Sequence, residues 1–191
     1  RALSDDEIVQ NFIAQERDID EQERLYMFNY ENNTLPVIRM YGDMTNMTLE
    51  TPVTMRIKYS SPNEDLYGQS FDLPYCQVNW QGTSSLQYVL KNFTARLKDE
   101  NMAVYEYTPY VNGIKEDVYC FKADYMESTH SRNVGIAKFV NACLYDSKNP
   151  MQLQDNNIRN SVNGFPCIMY INDELQGVYN FNLDRYSTKS F

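Results

Sequence analysis

From Leu35 onward the chain stops spacing its apolar residues as a helix would and begins to alternate them with polar ones. "LPVIRMYG" (Leu35–Gly42), "TPVTMRIKYS" (Thr51–Ser60) and "DLPYCQVNW" (Asp72–Trp80) are rich in Val, Ile, Tyr and Thr. A period of two sends successive side chains to opposite faces of a pleated strand, so each segment has one apolar face to bury. "DMTN" and "SPNEDLYGQS" lie between them and supply the Asn, Pro, Gly and Ser that turn a chain. "NFTARLKD" and "EDVYCFKADY" continue the pattern. "FPCIMYINDELQGVYNFNLD" sets two apolar stretches around Asn172-Asp173, a pair suited to a tight hairpin turn. The pattern predicts an α+β chain with an antiparallel or mixed sheet at its centre.

Two segments keep a helical period. "STHSRNVGIAKFVNACLYD" repeats apolar residues at Val134, Ala137, Val140 and Leu144, with Ile136, Phe139 and Cys143 beside them and Ser128 or Ser131 as N-cap. It predicts a helix over 132–146 packed on one face of the sheet. The opening segment sets Ser4 three residues before Glu7, a capping box, and follows it with Ile8, Phe12, Ile19 and Tyr26 at near-heptad spacing. A long amphipathic helix is expected from about Asp5 to about Phe28. Two readings stay open: it packs on its own domain, or it is a connector or coiled-coil stalk that carries oligomer contacts. The organisation adopted is a connector helix over 1–31 followed by one domain over 35–191.

Charge and composition remove several classes. Asp and Glu number 26 against 17 Lys and Arg, for a formal charge of -9. Binding along a phosphate backbone needs clustered cations that release counterions, so nucleic acid is not an expected partner. No apolar run reaches the roughly 18 to 20 residues of a membrane helix. The chain begins at Arg1, which suggests a piece of a longer polypeptide, and any export signal would lie upstream. Cys76, Cys120, Cys143 and Cys167 stand far apart beside a single histidine, His130, so no zinc set assembles and buried free thiols are expected. Sequons begin at Asn32, Asn46 and Asn92, as chance produces in an Asn-rich chain.

The stretch "VNWQGTSSLQYVLKNFTARL" raises a sharper question, because Gly82, Thr83, Ser84 and Ser85 precede Lys91 at the start of a strand. Such a turn can present backbone N–H groups and hydroxyls to an anion. A P-loop needs GxxxxGK[ST] leading into a helix, and a dinucleotide fold needs GxGxxG, so both are excluded. Read locally, the segment is a β-turn.

Four blocks taken in order give it another context. The Gly-Thr-Ser-Ser turn with its Lys-bearing strand resembles the R-G-N-S-x-x-x-P-K-K-x-Y pattern of the spore-coat protein H (CotH) kinase-like family. "LPVIRMYG" looks like that family's opening strand. "FKADYMESTHSRNVGIAKFVN" is similar to its aNyxDxxxxRNxxA block through Asp124, Arg132 and Asn133, and "MYINDELQGVYNF" to its vyvNGxxxGvY hairpin through Asn172, Gly177, Val178 and Tyr179. "QGTSSLQY", "KADYMESTHSRN" and "GVYNFNLDRYSTKSF" are close to the version embedded in bacteriophage virion proteins, such as minor structural, tail or baseplate components.

The resemblance implies a partial atypical protein-kinase-like fold. Its spore-coat members phosphorylate serine-rich coat proteins with ATP and a divalent metal, which implies Lys91, Gly82, Ser84 and Ser85 as cofactor-binding positions here. Phosphoryl transfer also needs carboxylates for Mg²⁺ and a group that orients the acceptor. Gln81 stands where the family has Arg, and Val89-Leu90 where it has Pro-Lys. The 132–146 helix offers no Glu to pair with Lys91, and Asp184 lies near the family's acidic position. The family's catalytic and metal-binding aspartates follow the hairpin, beyond Phe191, so no catalytic or metal residue is assigned within this chain. Asp124 and Arg132 are expected to pair structurally at the helix start, with His130 as a loop residue. The expected function is a non-catalytic bacteriophage virion segment whose partners are other virion proteins or the rest of its own chain. The alternative is an atypical ATP- and Mg-dependent serine kinase domain of the spore coat.

Overall fold

The computed structural model describes residues 35–109, 115–127, 129–130, 132–147, 162 and 164–184. The chain divides into two units at Thr34 and Leu35, and all described residues belong to the second. The expected connector helix over 1–31 lies outside them. Seven strands follow in order: β1 (Val37–Tyr41), β2 (Val53–Ser60), β3 (Phe71–Gln81), β4 (Asn92–Arg96), β5 (Val118–Lys122), β6 (Gly164–Ile171) and β7 (Glu174–Leu183). Among the described residues the α-helices are the single turn α1 (Glu64–Tyr67) and α2 (Arg132–Ser147), with a 3₁₀ turn over Ser84–Gln87.

The strands close into a barrel in the order β1-β2-β3-β4-β5-β7-β6. β1 makes the closure. It pairs antiparallel with β2, setting Val37 opposite Ser60, and parallel with β6, setting Val37 opposite Ile168. Every other neighbouring pair is antiparallel. This overturns the expected partial kinase-like fold, an antiparallel or mixed sheet with one packed helix. The physical reason is coverage of the apolar faces. Ile38 and Met40, Met55, Ile57 and Tyr59, Phe93 and Ala95, and Tyr179, Phe181 and Leu183 all need shelter. α1 buries none of its residues, and α2 buries Val134 and Ala137. Among the described residues so little helix cannot cover seven strands, and the sheet covers its apolar face by curling onto itself. Closure also pairs both edges of every strand, removing the free N–H and C=O rows that promote aggregation.

The interior is filled largely by aromatic rings. Phe181 packs edge-on against Tyr59, Tyr119 and Phe165 at centroid distances of 5.6, 4.9 and 5.4 Å. The buried tyrosines send their hydroxyls to backbone carbonyls: Tyr59 Oη donates to Tyr67 at 2.6 Å, and Tyr107 Oη to Gln69 at 2.9 Å. Each ring thereby buries its body without stranding its polar tip.

Two local devices shape β6 and β7. Asn172 and Asp173 take φ of 50° and 65°, the left-handed pair of a type I′ hairpin turn. One extra residue in β7 then shifts the register between Met169 and Tyr170, with Gly177 at φ 112° absorbing the bulge. The Asn172 side chain clasps the end of β1, accepting from Gly42 N at 3.0 Å and donating to Gly42 O at 3.1 Å.

Candidate functional site

The outer face of the barrel is expected to be polar, and over β4, β5 and β7 it is polar yet buried. Phe93, Phe121 and Phe181 point inward, so the residues alternating with them point out. Across the strands Thr94 pairs with Cys120, Cys120 with Asn182, and Asn182 with Gly164. In the next row Gln81 pairs with Asn92, and Lys122 with Asn180. Thr94, Cys120, Asn180 and Asn182 are all buried.

Hydrogen bonds organise most of this face. Gln81 reaches across β4, with Nε2 donating to Cys120 Sγ at 3.0 Å and Oε1 accepting from Lys122 Nζ. Asn92 joins two loops, since its Oδ1 accepts from Ala123 N at 2.8 Å and its Nδ2 donates to Ser85 Oγ at 3.3 Å. Asp124 forms a hub just past β5, at φ 45°. Its Oδ1 accepts from Asn133 Nδ2 of α2 at 2.6 Å, and its Oδ2 from Asn180 Nδ2 of β7 at 2.7 Å. Asn180 Nδ2 also donates to His130 O at 2.7 Å. Asp124 thus ties α2 to β7, and the partners of its carboxylate are the amides of Asn133 and Asn180 where a pairing with Arg132 was expected.

Two cavities lie beside this hub. One, of about 320 Å³, is lined by Gln81, Gly82, Asn92, Lys122, Asp124 and Asn182, among others. The second, of about 270 Å³, touches Ser85, Tyr88, Tyr125 and Arg132 and shares Asn92, Asp124 and Asn133 with the first. Burial pushes the Cys120 thiol up to about 11, helped by the negative charge of Asp184. A thiol held protonated at neutral pH is a poor nucleophile, so Cys120 acts as a wall of the cavity.

The four residues implied as cofactor contacts separate. Gly82 lines the first cavity and Ser85 the second, while Ser84 and Lys91 line neither. Lys91 Nζ donates to the carbonyls of Leu86, at 2.7 Å, and Tyr88. Its ammonium thus closes the 3₁₀ turn, neutralising carbonyls that the helical end leaves open. Gly82 sits at φ 103°, where the backbone favours glycine, and a Cβ there would stand 2.0 Å from Ser85 Oγ and make that hydroxyl turn away. Lys122, Asn180 and Asn182 were not singled out in the sequence. The signal present was the Asn-Phe-Asn alternation of β7, which marks an outward polar row without revealing that the row is covered.

No family model matches the chain, and no curated protein sequence matches it. Among the described residues no group of three or more His, Cys, Asp or Glu side chains is arranged to hold a metal ion, and no helix is long and apolar enough to cross a membrane.

Proposed function

We propose that this chain is a non-catalytic structural module of a bacteriophage virion. The observation that carries the reading is the bonding of Lys91: its ammonium is held by two carbonyls of its own turn, where a phosphate-binding lysine would face a cavity. The other motif residues also work inside the fold. Asn172 clasps Gly42 of the opening block, and Asp124 binds Asn133 and Asn180. A sequence pattern whose polar residues lock loops to strands suits a rigid scaffold, and the close wording of the phage-borne version of these blocks supplies the virion context.

The test has two arms. Antibody raised against residues 35–191 is expected to label purified virions of the phage that encodes the chain; protein confined to the cell lysate and absent from particles defeats the proposal. The purified parent protein, given radiolabelled ATP, Mg²⁺ and a serine-rich peptide, is expected to transfer no phosphate. Transfer that disappears in Lys91→Met would overturn the non-catalytic reading.

A further inference from the structure

We propose that the outward face of α2 is a self-association surface, on which two copies of this chain pack their α2 helices antiparallel about a two-fold axis at Phe139. The inference is independent of the virion reading. α2 lies against β6 and buries Val134 and Ala137. Its other side is apolar as well: Ile136 and Phe139 are 56% and 69% exposed, and Gly135, Ala142 and Cys143 are exposed beside them. A helix that covers its own core with one side ordinarily turns polar residues outward, and one that is apolar on both sides belongs between two bodies.

The stripe is arranged to fit itself. Gly135, Ile136, Ala142 and Cys143 fall within about 60° of Phe139 around the helix, at three and four positions before it and after it, while Val134 and Ala137 fall on the opposite side. Antiparallel two-fold packing sets each position before Phe139 on one copy against the position equally far after it on the other. Gly135 then meets Cys143 of the partner subunit and Ile136 meets Ala142 of the partner subunit, with the two Phe139 rings at the centre. The small residues leave room for those rings, and a Cβ at Gly135 would meet nothing within 4 Å, so that side of the helix is open.

Charge points to a second copy as the occupant. The last turn of α2 holds no basic residue, so its carbonyl end keeps the negative pole of the helix dipole. Arg132, exposed at the other end, lies about 20° from the Phe139 line. In the antiparallel register Arg132 of each copy reaches the carbonyl end of the other's α2, so one symmetry operation complements both ends. A parallel pair would bring the two Arg132 guanidinium groups together instead. Lys138, also exposed, lies about 100° from the line and stays in water. A seam one 16-residue helix long buries less than the roughly 1,200–2,000 Å² of a stable interface, so the dimer is weak and forms at high local concentration.

The experiment uses the full chain. Analytical ultracentrifugation in reductant is expected to show a reversible monomer–dimer equilibrium, with dimer growing as protein concentration rises. Phe139→Glu is expected to hold the chain monomeric over the same range while melting as the parent does, because the ring is exposed in a single copy. Gly135→Cys reads the register. In the antiparallel pair the two copies of Cys143 stand about eight residues apart along the axis, about 12 Å, too far for a disulfide, whereas the introduced thiol lies opposite Cys143 of the partner subunit. Mild oxidation with diamide is therefore expected to link Gly135→Cys into a dimer, with peptide mapping finding the introduced thiol joined to Cys143. The parent should stay unlinked, and adding Phe139→Glu should abolish the link. The proposal is overturned if the parent is monomeric at every concentration, if association survives Phe139→Glu, or if that variant melts earlier, which would mean that its own chain covers the face. It is equally overturned if diamide leaves Gly135→Cys unlinked or joins the two introduced thiols to each other.

Discussion

Asn180 and Asn182 lie two residues apart on β7, face the same way and are 0% and 3% exposed, so burial alone predicts that truncating either has the same effect. Their hydrogen bonds predict otherwise. Asn180→Ala removes a bond to the Asp124 carboxylate and one to the His130 carbonyl, each 2.7 Å long. A bond to a charged group contributes about 1.5–3 kcal/mol and a neutral one about 0.5–1.5, so the loss should come to about 2–4 kcal/mol. Each variant also removes a buried Oδ1 that has no partner, so that relief is common to both, and Asn182→Ala sets it against lost packing contacts alone. Its effect should fall within about 0.5 kcal/mol of zero. Urea unfolding of the parent and both variants measures the difference. With a slope of about 2 kcal/mol/M, the Asn180→Ala midpoint should drop by roughly 1–2 M at unchanged slope, while the Asn182→Ala midpoint stays in place. A double variant adding Asp124→Ala to Asn180→Ala should cost less than the two singles combined, because both remove the same bond. Two single-variant midpoints that fall together would refute the hydrogen-bond argument and leave burial as the governing quantity.

Gly82→Ala should destabilise the fold by about 1–3 kcal/mol from its left-handed backbone and the Ser85 clash, and adding Ser85→Ala should recover only the steric share in the same unfolding assay. Lys91→Met, which releases the carbonyls of Leu86 and Tyr88, should lower stability by about 1–2 kcal/mol, read from the same midpoint. Of the free cysteines Cys76, Cys120, Cys143 and Cys167, only Cys143 is exposed, so iodoacetamide should label it alone in the native protein and reach the rest on unfolding, as peptide mass mapping would show. Burial raises Cys76 and Cys120 to about 11. Each thiol therefore favours the fold fully below about pH 8.5, where the unfolded thiol is still protonated, and that contribution is lost as pH climbs toward 11; Cys120→Ser should flatten the alkaline fall in stability.

The strands were legible because their patterning is local. Met55, Ile57 and Tyr59 alternate with Arg56 and Lys58 within a single strand, and Asn172-Asp173 announces its own turn. The start of α2 could likewise be read from the spacing of Val134 and Ala137. Closure was not legible, because it depends on pairing β1 with β6, about 130 residues away, and parallel pairing leaves no turn signature between partners. Resemblance to a kinase-like family pointed to a mixed sheet with a packed helix, and the β1–β6 pairing that closes the barrel decided against that arrangement. The site was harder still. Gly82 and Ser85 stood out as turn residues and do reach the cavities, but Lys91 gave no sign that its partners would be carbonyls within five residues of it. Asn180 and Asn182 looked like the solvated side of a strand, and nothing local separates a polar row facing water from one facing a cavity.

Because β1 must wait for β6, the barrel cannot be completed in the order in which a ribosome makes it. β1 to β5 can pair with one another as they emerge, each joining the strand before it. That leaves a five-stranded intermediate with β1 exposed at one margin and β5 at the other until Gly164–Leu183 has been synthesised and inserted between them. Such a species carries two sticky borders, and a neighbouring nascent chain could donate its own β6–β7 hairpin to fill them. Spacing between ribosomes on one message, or a chaperone that holds the margins, would then govern the yield of monomer against strand-exchanged dimer.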